Sequence, residues 1–272
     1  MYQPSQKSSC NRTGFTALAL CVILLGILLI YSKGIFLFQN PTSNNINMIK
    51  SPKFNDRGEY IPFYGYTSLA MCNEGQGLER LEEFIKKSEL SKFFSALPTS
   101  SYHMTLFNIW PVSRKPIAPV KKWMQENQMQ KIDPYSFLPR EALHTELTSA
   151  SRKAAEITPY SVNTKLKYSD TMKILYLELE VLEEAARGKI TEFREKCTEL
   201  FGHPDSGLFA YHMTLAYQFR LWTSKQEEKM VKNEMEKLQA EVGKIGTIKL
   251  SNSDVYVFST MEEFIPYSHK FP

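Results

Sequence analysis

Tyr102-His103-Met104-Thr105-Leu106 recurs letter for letter as Tyr211-His212-Met213-Thr214-Leu215, 109 positions further along a chain of 272 residues. His and Met are uncommon, so a five-residue identity containing both marks two segments built alike, and with them two halves of one domain. Each copy runs on into further apolar residues and reads as a strand. Side chains alternate across a strand. His103 and Thr105 therefore share one face, while Tyr102, Met104 and Leu106 take the other. The second copy divides in the same way, His212 and Thr214 against Tyr211, Met213 and Leu215. One face is apolar and suits packing beneath helices. The other offers an imidazole and a hydroxyl, twice.

Around the two copies the hydrophobic period switches repeatedly between 2 and 3.6. Strands are expected at 61–72 (with Gly65 as a bulge), 102–110, 161–168, 172–180, 208–219, 247–250 and 254–258. Helices are expected at 78–94, 121–130, 140–156, 183–200 and 224–242. Short strands interleaved with helices indicate an α+β domain, one unit with two halves. If the halves pair about a pseudo-twofold axis, two His and two Thr converge on one cleft.

Composition excludes several classes. With 43% hydrophobic, 12% aromatic and 23% charged residues the chain is neither disordered nor collagen-like. A net charge of +4 is too slight to coat a nucleic acid by composition alone. Four cysteines (Cys10, Cys21, Cys72, Cys197) without a CxxC spacing exclude a disulfide scaffold and argue against structural zinc. Cys72 and Cys197 form a disulfide in an oxidising compartment or stay thiols in a reducing one.

Phe15 to Tyr31 reads FTALALCVILLGILLIY without a charge, and after Ser32, Lys33 and Gly34 the apolar character resumes to Phe38. About 20 apolar residues cross a hydrocarbon core, so 15–38 is expected to be a transmembrane anchor behind a tail at 1–14. A cleaved signal peptide, with Lys7 and Arg12 as its basic region, fits less well. Its apolar run is usually about 7–15 residues and ends in a small-x-small site that is missing here. Flanking charges put the N-terminus in the cytosol and the domain on the lumenal or extracellular side. Residues 39–53 have the Asn, Ser and Pro content of a linker, which leaves 54–272 as the folded domain.

Two imidazoles and two hydroxyls in one cleft suit a phosphodiester. With a reference pKa near 6.5, one His accepts a proton at neutral pH while the other donates one. The hydroxyls donate to the non-bridging phosphoryl oxygens, and in-line displacement needs a base and an acid on opposite sides of phosphorus.

The paired His-x-Thr strands resemble the 2H phosphoesterase superfamily. Phe54-Asn55-Asp56-Arg57-Gly58, Phe63-x-Gly65 and the run from Leu97 to Phe107 are similar to one branch of it, and the second motif continues through Leu215-Ala216-Tyr217. The resemblance implies a two-lobed, pseudo-twofold domain with a central cleft. It also implies His103 and His212 as general base and acid, in either order, and Thr105 and Thr214 as phosphate-binding groups. The implied activity is a cyclic phosphodiesterase without cofactor or metal, acting on a phosphoester small molecule or an RNA end such as a 2′,3′-cyclic phosphate. No obligate protein partner follows from it, and the membrane anchor lies outside the superfamily's general pattern. The alternative is a membrane-anchored nucleotide- or phosphate-binding domain that does not turn over.

The remaining candidates carry less. His144, His203 and His269 lie in a helix, a Gly-His-Pro turn and the C-terminal tail, and read as surface residues. HExxH, GxGxxG, GxxxxGK[ST] and GxSxG are all missing from the sequence. Lys165 and Lys167 at strand spacing, and Arg220 with the parity of His212, are candidates to steer phosphate. Tyr64, Tyr66 and Trp110 are candidates to stack a base but read equally as core. The charged helix within 225–241 is a solvated face.

Overall fold

The computed structural model describes residues 47–72, 75–134, 140–204 and 211–267. The tail at 1–14, the anchor expected at 15–38, the first part of the linker and His269 lie outside them. Among the described residues eight strands follow in chain order: β1 (Gly65–Cys72), β2 (Phe94–Ala96), β3 (His103–Pro111), β4 (Tyr160–Ser169), β5 (Ile174–Val181), β6 (His212–Gln218), β7 (Ile248–Phe258) and β8 (Phe264–Pro266). Between them run α1 (Glu79–Lys87), α2 (Ala118–Glu126), α3 (His144–Ala154), α4 (Glu184–Phe201) and α5 (Lys225–Ile245).

Both pentapeptides form strands, and both strands bulge at the same residue. In β3, Thr105 faces Leu69 and Phe107 faces Ser68, so Leu106 is the extra residue. In β6, Thr214 faces Tyr176 and Ala216 faces Leu175, so Leu215 is the extra residue. The two bulges are 109 positions apart, like the motifs themselves. A bulge residue leaves its ladder, so its carbonyl needs another donor. Leu106 O accepts from Arg194 Nε on α4 at 2.8 Å, and Leu215 O accepts from the backbone N–H of Leu97 at 2.8 Å.

The strand order is β2-β6-β5-β4-β7-β1-β3, with β8 on β7 and every pairing antiparallel. Its two ends, β2 and β3, are joined by only Leu97–Tyr102. Laid flat, seven strands would put those ends roughly 29 Å apart. The connecting residues reach roughly 25 Å at full stretch, and Thr99–Ser101 are wound into a 3-10 turn that shortens them. The sheet therefore curls. The ladder is short where Tyr160–Val162 of β4 meet Ile248–Leu250 of β7, and β3 lies against β6.

Helices α1 and α5 cover β2, β6 and β4, while α3 and α4 cover β7, β3 and β5. The apolar face of each motif is buried as its alternation requires: Met104, Leu106, Met213 and Leu215 are each 0% exposed. Burying such a side chain contributes roughly 1.5–3 kcal/mol.

Several expected elements differ. The helix expected over 78–94 stops at Lys87, because Ser88 Oγ accepts from Leu90 N–H and opens a one-turn 3-10 helix before β2. The strands expected at 247–250 and 254–258 are one strand, bent at Asn252 with φ +48°. Gly65 opens β1 and the sheet's irregularities lie after it; a Cβ there would stand 2.4 Å from Phe258 Cζ. Residues 47–53, linker by composition, belong to the folded unit: Ile49 N–H donates to Phe219 O and Leu221 N–H to Asn47 O, both at 2.8 Å. Among the described residues no helix is long and apolar enough to cross a membrane.

Candidate functional site

The segment before β3 is built to aim one side chain. The Glu82 carboxylate on α1 accepts from the backbone N–H and the hydroxyl of Thr99, both at 2.6 Å, and Ser101 Oγ donates to Pro98 O at 2.8 Å. Burial alone would raise the Glu82 carboxyl. Bonds from Lys86 and Thr99 outweigh it and hold the group below the usual carboxylate range. The turn so fixed presents Ser101 O to His103 Nδ1 at 2.6 Å. A carbonyl only accepts, so in the neutral ring Nδ1 carries the proton and Nε2 becomes the accepting nitrogen.

The ring of His103 keeps part of its surface exposed and meets Phe264 of β8 edge-on at 4.5 Å. Desolvation depresses its pKa, the Ser101 carbonyl opposes that, and the positive charges of His212 and Lys53 add to it. The group comes to about 4 and is neutral near pH 7. The influence of His212 places the two imidazoles within electrostatic reach of each other.

His212 stands opposite Glu178 on β5, with the Tyr176 ring 5.6 Å away at 78°. Thr105 and Thr214 lie on the same strand faces as their histidines. Among the described residues neither hydroxyl has a hydrogen-bond partner, and both are half-exposed. The four residues singled out by the repeated motif are thus brought to β3 and β6, which approach each other.

The other candidates divide. Lys165 and Lys167 share the His212 face, because Lys165 opposes Glu178 and Lys167 opposes Tyr176 across β4 and β5. Lys167 Nζ lies 3.8 Å from Glu178. Arg220 is a correction: the extra residue Leu215 reverses the alternation, so Arg220 does not share the face of His212. It pairs with Glu227 and lies 4.6 Å over the Phe93 ring. Tyr66 and Trp110 are each 2% exposed and belong to the core. His144 Nδ1 lies 2.8 Å from Tyr267 Oη, and His203 stacks on Phe107 with Nε2 2.9 Å from Ile109 O, which are packing roles. Among the described residues no three His, Cys, Asp or Glu side chains are placed to hold a metal ion.

The same reversal brings Tyr217, opposite Ile174, to the face of the sheet that carries His212 and Thr214. Lys53 Nζ donates to the Tyr217 hydroxyl at 2.9 Å and sits 4.5 Å from its ring centre. Sequence composition had put Lys53 in the linker. The turn chemistry of Asn55-Asp56-Arg57-Gly58 could have found it, because such a turn needs paired flanks on both sides.

Residues 53–118 match the family model 2H-phosphodiest, described as a domain of unknown function (DUF1868). The uncharacterized protein 127L of Invertebrate iridescent virus 6 is 31% identical over 225 residues, covering 79% of this chain and 93% of that protein. The chain belongs to the 2H phosphoesterase superfamily. Its fold is similar to that of a conserved protein of unknown function, ATU0111 from Agrobacterium tumefaciens, at 18% identity and TM-score 0.55, over 84% of this chain and 93% of that one. E. coli LigT, solved in complex with 3′-AMP, aligns at 8% identity and TM-score 0.46 over 75% of this chain and 95% of its own. For a 2H phosphoesterase relative, the matched segment at 53–118 spans one motif strand and the turn that positions Lys53.

Proposed function

We propose that this chain is a phosphodiesterase that opens a 2′,3′-cyclic phosphate, or a related phosphoester on a nucleotide or RNA end, by two-histidine acid–base catalysis. The observation that carries this reading is the pair of His-x-Thr strands, each bulged directly after its motif and each leaving a threonine hydroxyl unspent among the described residues. His103 is the base, since its accepting Nε2 is defined by the Ser101 contact. It takes a proton from water as the water oxygen bonds to phosphorus. The bond from phosphorus to one ribose oxygen breaks, and imidazolium His212 gives that oxygen its proton. Thr105 and Thr214 donate to the non-bridging oxygens, and exchange with solvent restores both histidines. Residues 15–38 anchor the enzyme, with the N-terminus cytosolic and the catalytic domain lumenal or extracellular.

The full chain in mild detergent, with EDTA present, is offered 2′,3′-cyclic nucleotides and a short RNA ending in a cyclic phosphate. Hydrolysis is expected, and His103→Ala or His212→Ala should lower turnover at least about 100-fold. Full activity in His103→Ala would overturn the reading.

A further inference from the structure

We propose that Lys53 is a third anion-binding group of the cleft, clamping the phosphoryl group together with Thr105 and Thr214. The inference rests on the phosphoesterase reading and adds a residue that the repeated motif does not contain. Lys53 is half-buried, and among the described residues no carboxylate lies within ion-pair distance of it. Its ammonium group faces two aromatic rings instead, Tyr217 at 4.5 Å and Phe63 at 5.8 Å. One of its three donors goes to Tyr217 Oη, whose own hydrogen points to Met261 Sδ at 3.6 Å. The other two have no protein acceptor among the described residues. A partly desolvated cation without a counter-charge is costly unless an anion completes it.

Its position is built, not incidental. Lys53 N–H donates to Ser51 Oγ at 3.2 Å, and Lys53 O accepts from Ile61 N–H at 3.1 Å. Between them Asn55 Oδ1 caps the turn by accepting from Arg57 N–H at 2.9 Å and Glu59 N–H at 3.1 Å. Gly58 turns at φ +77° with its carbonyl held by Ser95 Oγ at 2.6 Å. The Phe54–Gly58 motif is the clasp that holds Lys53 over the cleft. Two routes of contact tie it to the histidines. One runs through Tyr217 on the strand of His212; the other runs through Phe63, Phe258 and Phe264 to His103, with ring centres 5.7, 5.8 and 4.5 Å apart. The positive charge of Lys53 is among the influences felt by His103.

The test uses the full chain in detergent with inorganic phosphate as the probe, read by calorimetry and by NMR titration of the histidine ring protons. Lys53→Met should weaken phosphate binding about tenfold or more, as expected for a lost charged hydrogen bond. Lys53→Arg should stay within about threefold of wild type, since it keeps the charge. Lys50→Met, at an exposed position three residues upstream, should change nothing. In Lys53→Met the pKa of His103 should rise, a readout that simple loosening of a turn does not produce. If Lys53→Met does not fold, Lys53→Gln carries the same expectations. Phosphate binding equal to wild type in a folded variant overturns the proposal, and so does a wild type that binds no phosphate. Turnover of a cyclic phosphate is scored separately. Lys53-dependent binding without turnover would sink the catalytic reading alone; His103-dependent turnover with an unaffected Lys53→Met would sink this one alone.

Discussion

His103 Nδ1 lies 2.6 Å from the carbonyl oxygen of Ser101, two residues earlier in the same chain. The ring is therefore oriented by its own strand's approach, and among the described residues no carboxylate bonds to it. A neutral carbonyl fixes the tautomer without stabilising the protonated ring as an acidic partner would, so burial dominates and the imidazole stays uncharged.

The pH dependence follows from that depression. Unfolded, His103 titrates near 6.5; folded, it titrates at about 4. Between those values the unfolded state binds more protons, so the contribution is complete above pH 6.5 and is lost as pH falls toward 4. Urea unfolding at pH 7.0, 5.5 and 4.5 should show this loss in the wild type and a flatter dependence in His103→Gln. Equal slopes in the two proteins would refute the assignment. Binding of phosphate, an anion beside the ring, should raise the His103 pKa in an NMR titration.

Glu82 touches neither histidine, yet it should matter to turnover. Its carboxylate holds Thr99 and thereby the turn that presents Ser101 O. Glu82→Gln keeps the shape and removes the charge from bonds worth about 1.5–3 kcal/mol apiece. The expected result is a lower kcat with KM for a cyclic nucleotide little changed, and a small loss of stability at neutral pH. Because its folded pKa is depressed, that loss should shrink as pH falls through the carboxylate range. A kcat equal to wild type would show that the turn holds without the charge.

Much of this site was legible before the structure. The repeated pentapeptide sorted its side chains by burial because alternation is local: Met104 and Met213 are buried while His103 and His212 keep part of their surface exposed. The bulges were not legible, since HMTLF and HMTLA carry no mark of an extra residue; the register is set by β1 and β5, far away in sequence. That one unseen residue misplaced Arg220 and hid Tyr217. Strand β2 was concealed because Leu90 and Phe93 continue the helical spacing of α1, and only the Ser88 cap ends it. Lys53 was missed because linker composition says nothing of pairing with a turn that follows.

The two tyrosines that open the motifs are equal in sequence and unequal in setting. Tyr211 lies under the Arg194 guanidinium at 4.5 Å, whereas Tyr102 is 1% exposed and its hydroxyl has no hydrogen-bond partner among the described residues. A buried hydroxyl without a partner costs about 1–3 kcal/mol. Tyr102→Phe should accordingly be neutral or stabilising by about 1 kcal/mol, raising Tm by roughly 2–4 °C. Tyr211→Phe should show no such gain. A drop of several degrees in Tyr102→Phe would mean that the hydroxyl is bonded after all.

Gly65 should tolerate nothing larger. A methyl there would lie 2.4 Å from Phe258 Cζ, 2.8 Å from Pro111 Cα and 2.8 Å from Trp110 O. The ring could swing aside, but two of the three contacts are backbone atoms of β3 and cannot. Phe258 also stacks on Phe63 and leans on Phe264, the ring against His103, so any shift is passed into the cleft. Overpacking of this kind costs typically 1–3 kcal/mol, and more where backbone must move. Gly65→Ala should lower Tm by several degrees and turnover with it. Phe264→Leu, which leaves Gly65 and the ladder alone, should lower turnover and raise the His103 pKa by admitting water, with a smaller change in Tm. If Gly65→Ala melts with the wild type, then the backbone of β1 and β3 has more room than these contacts allow, and the close approach of the two strands is not what requires a glycine.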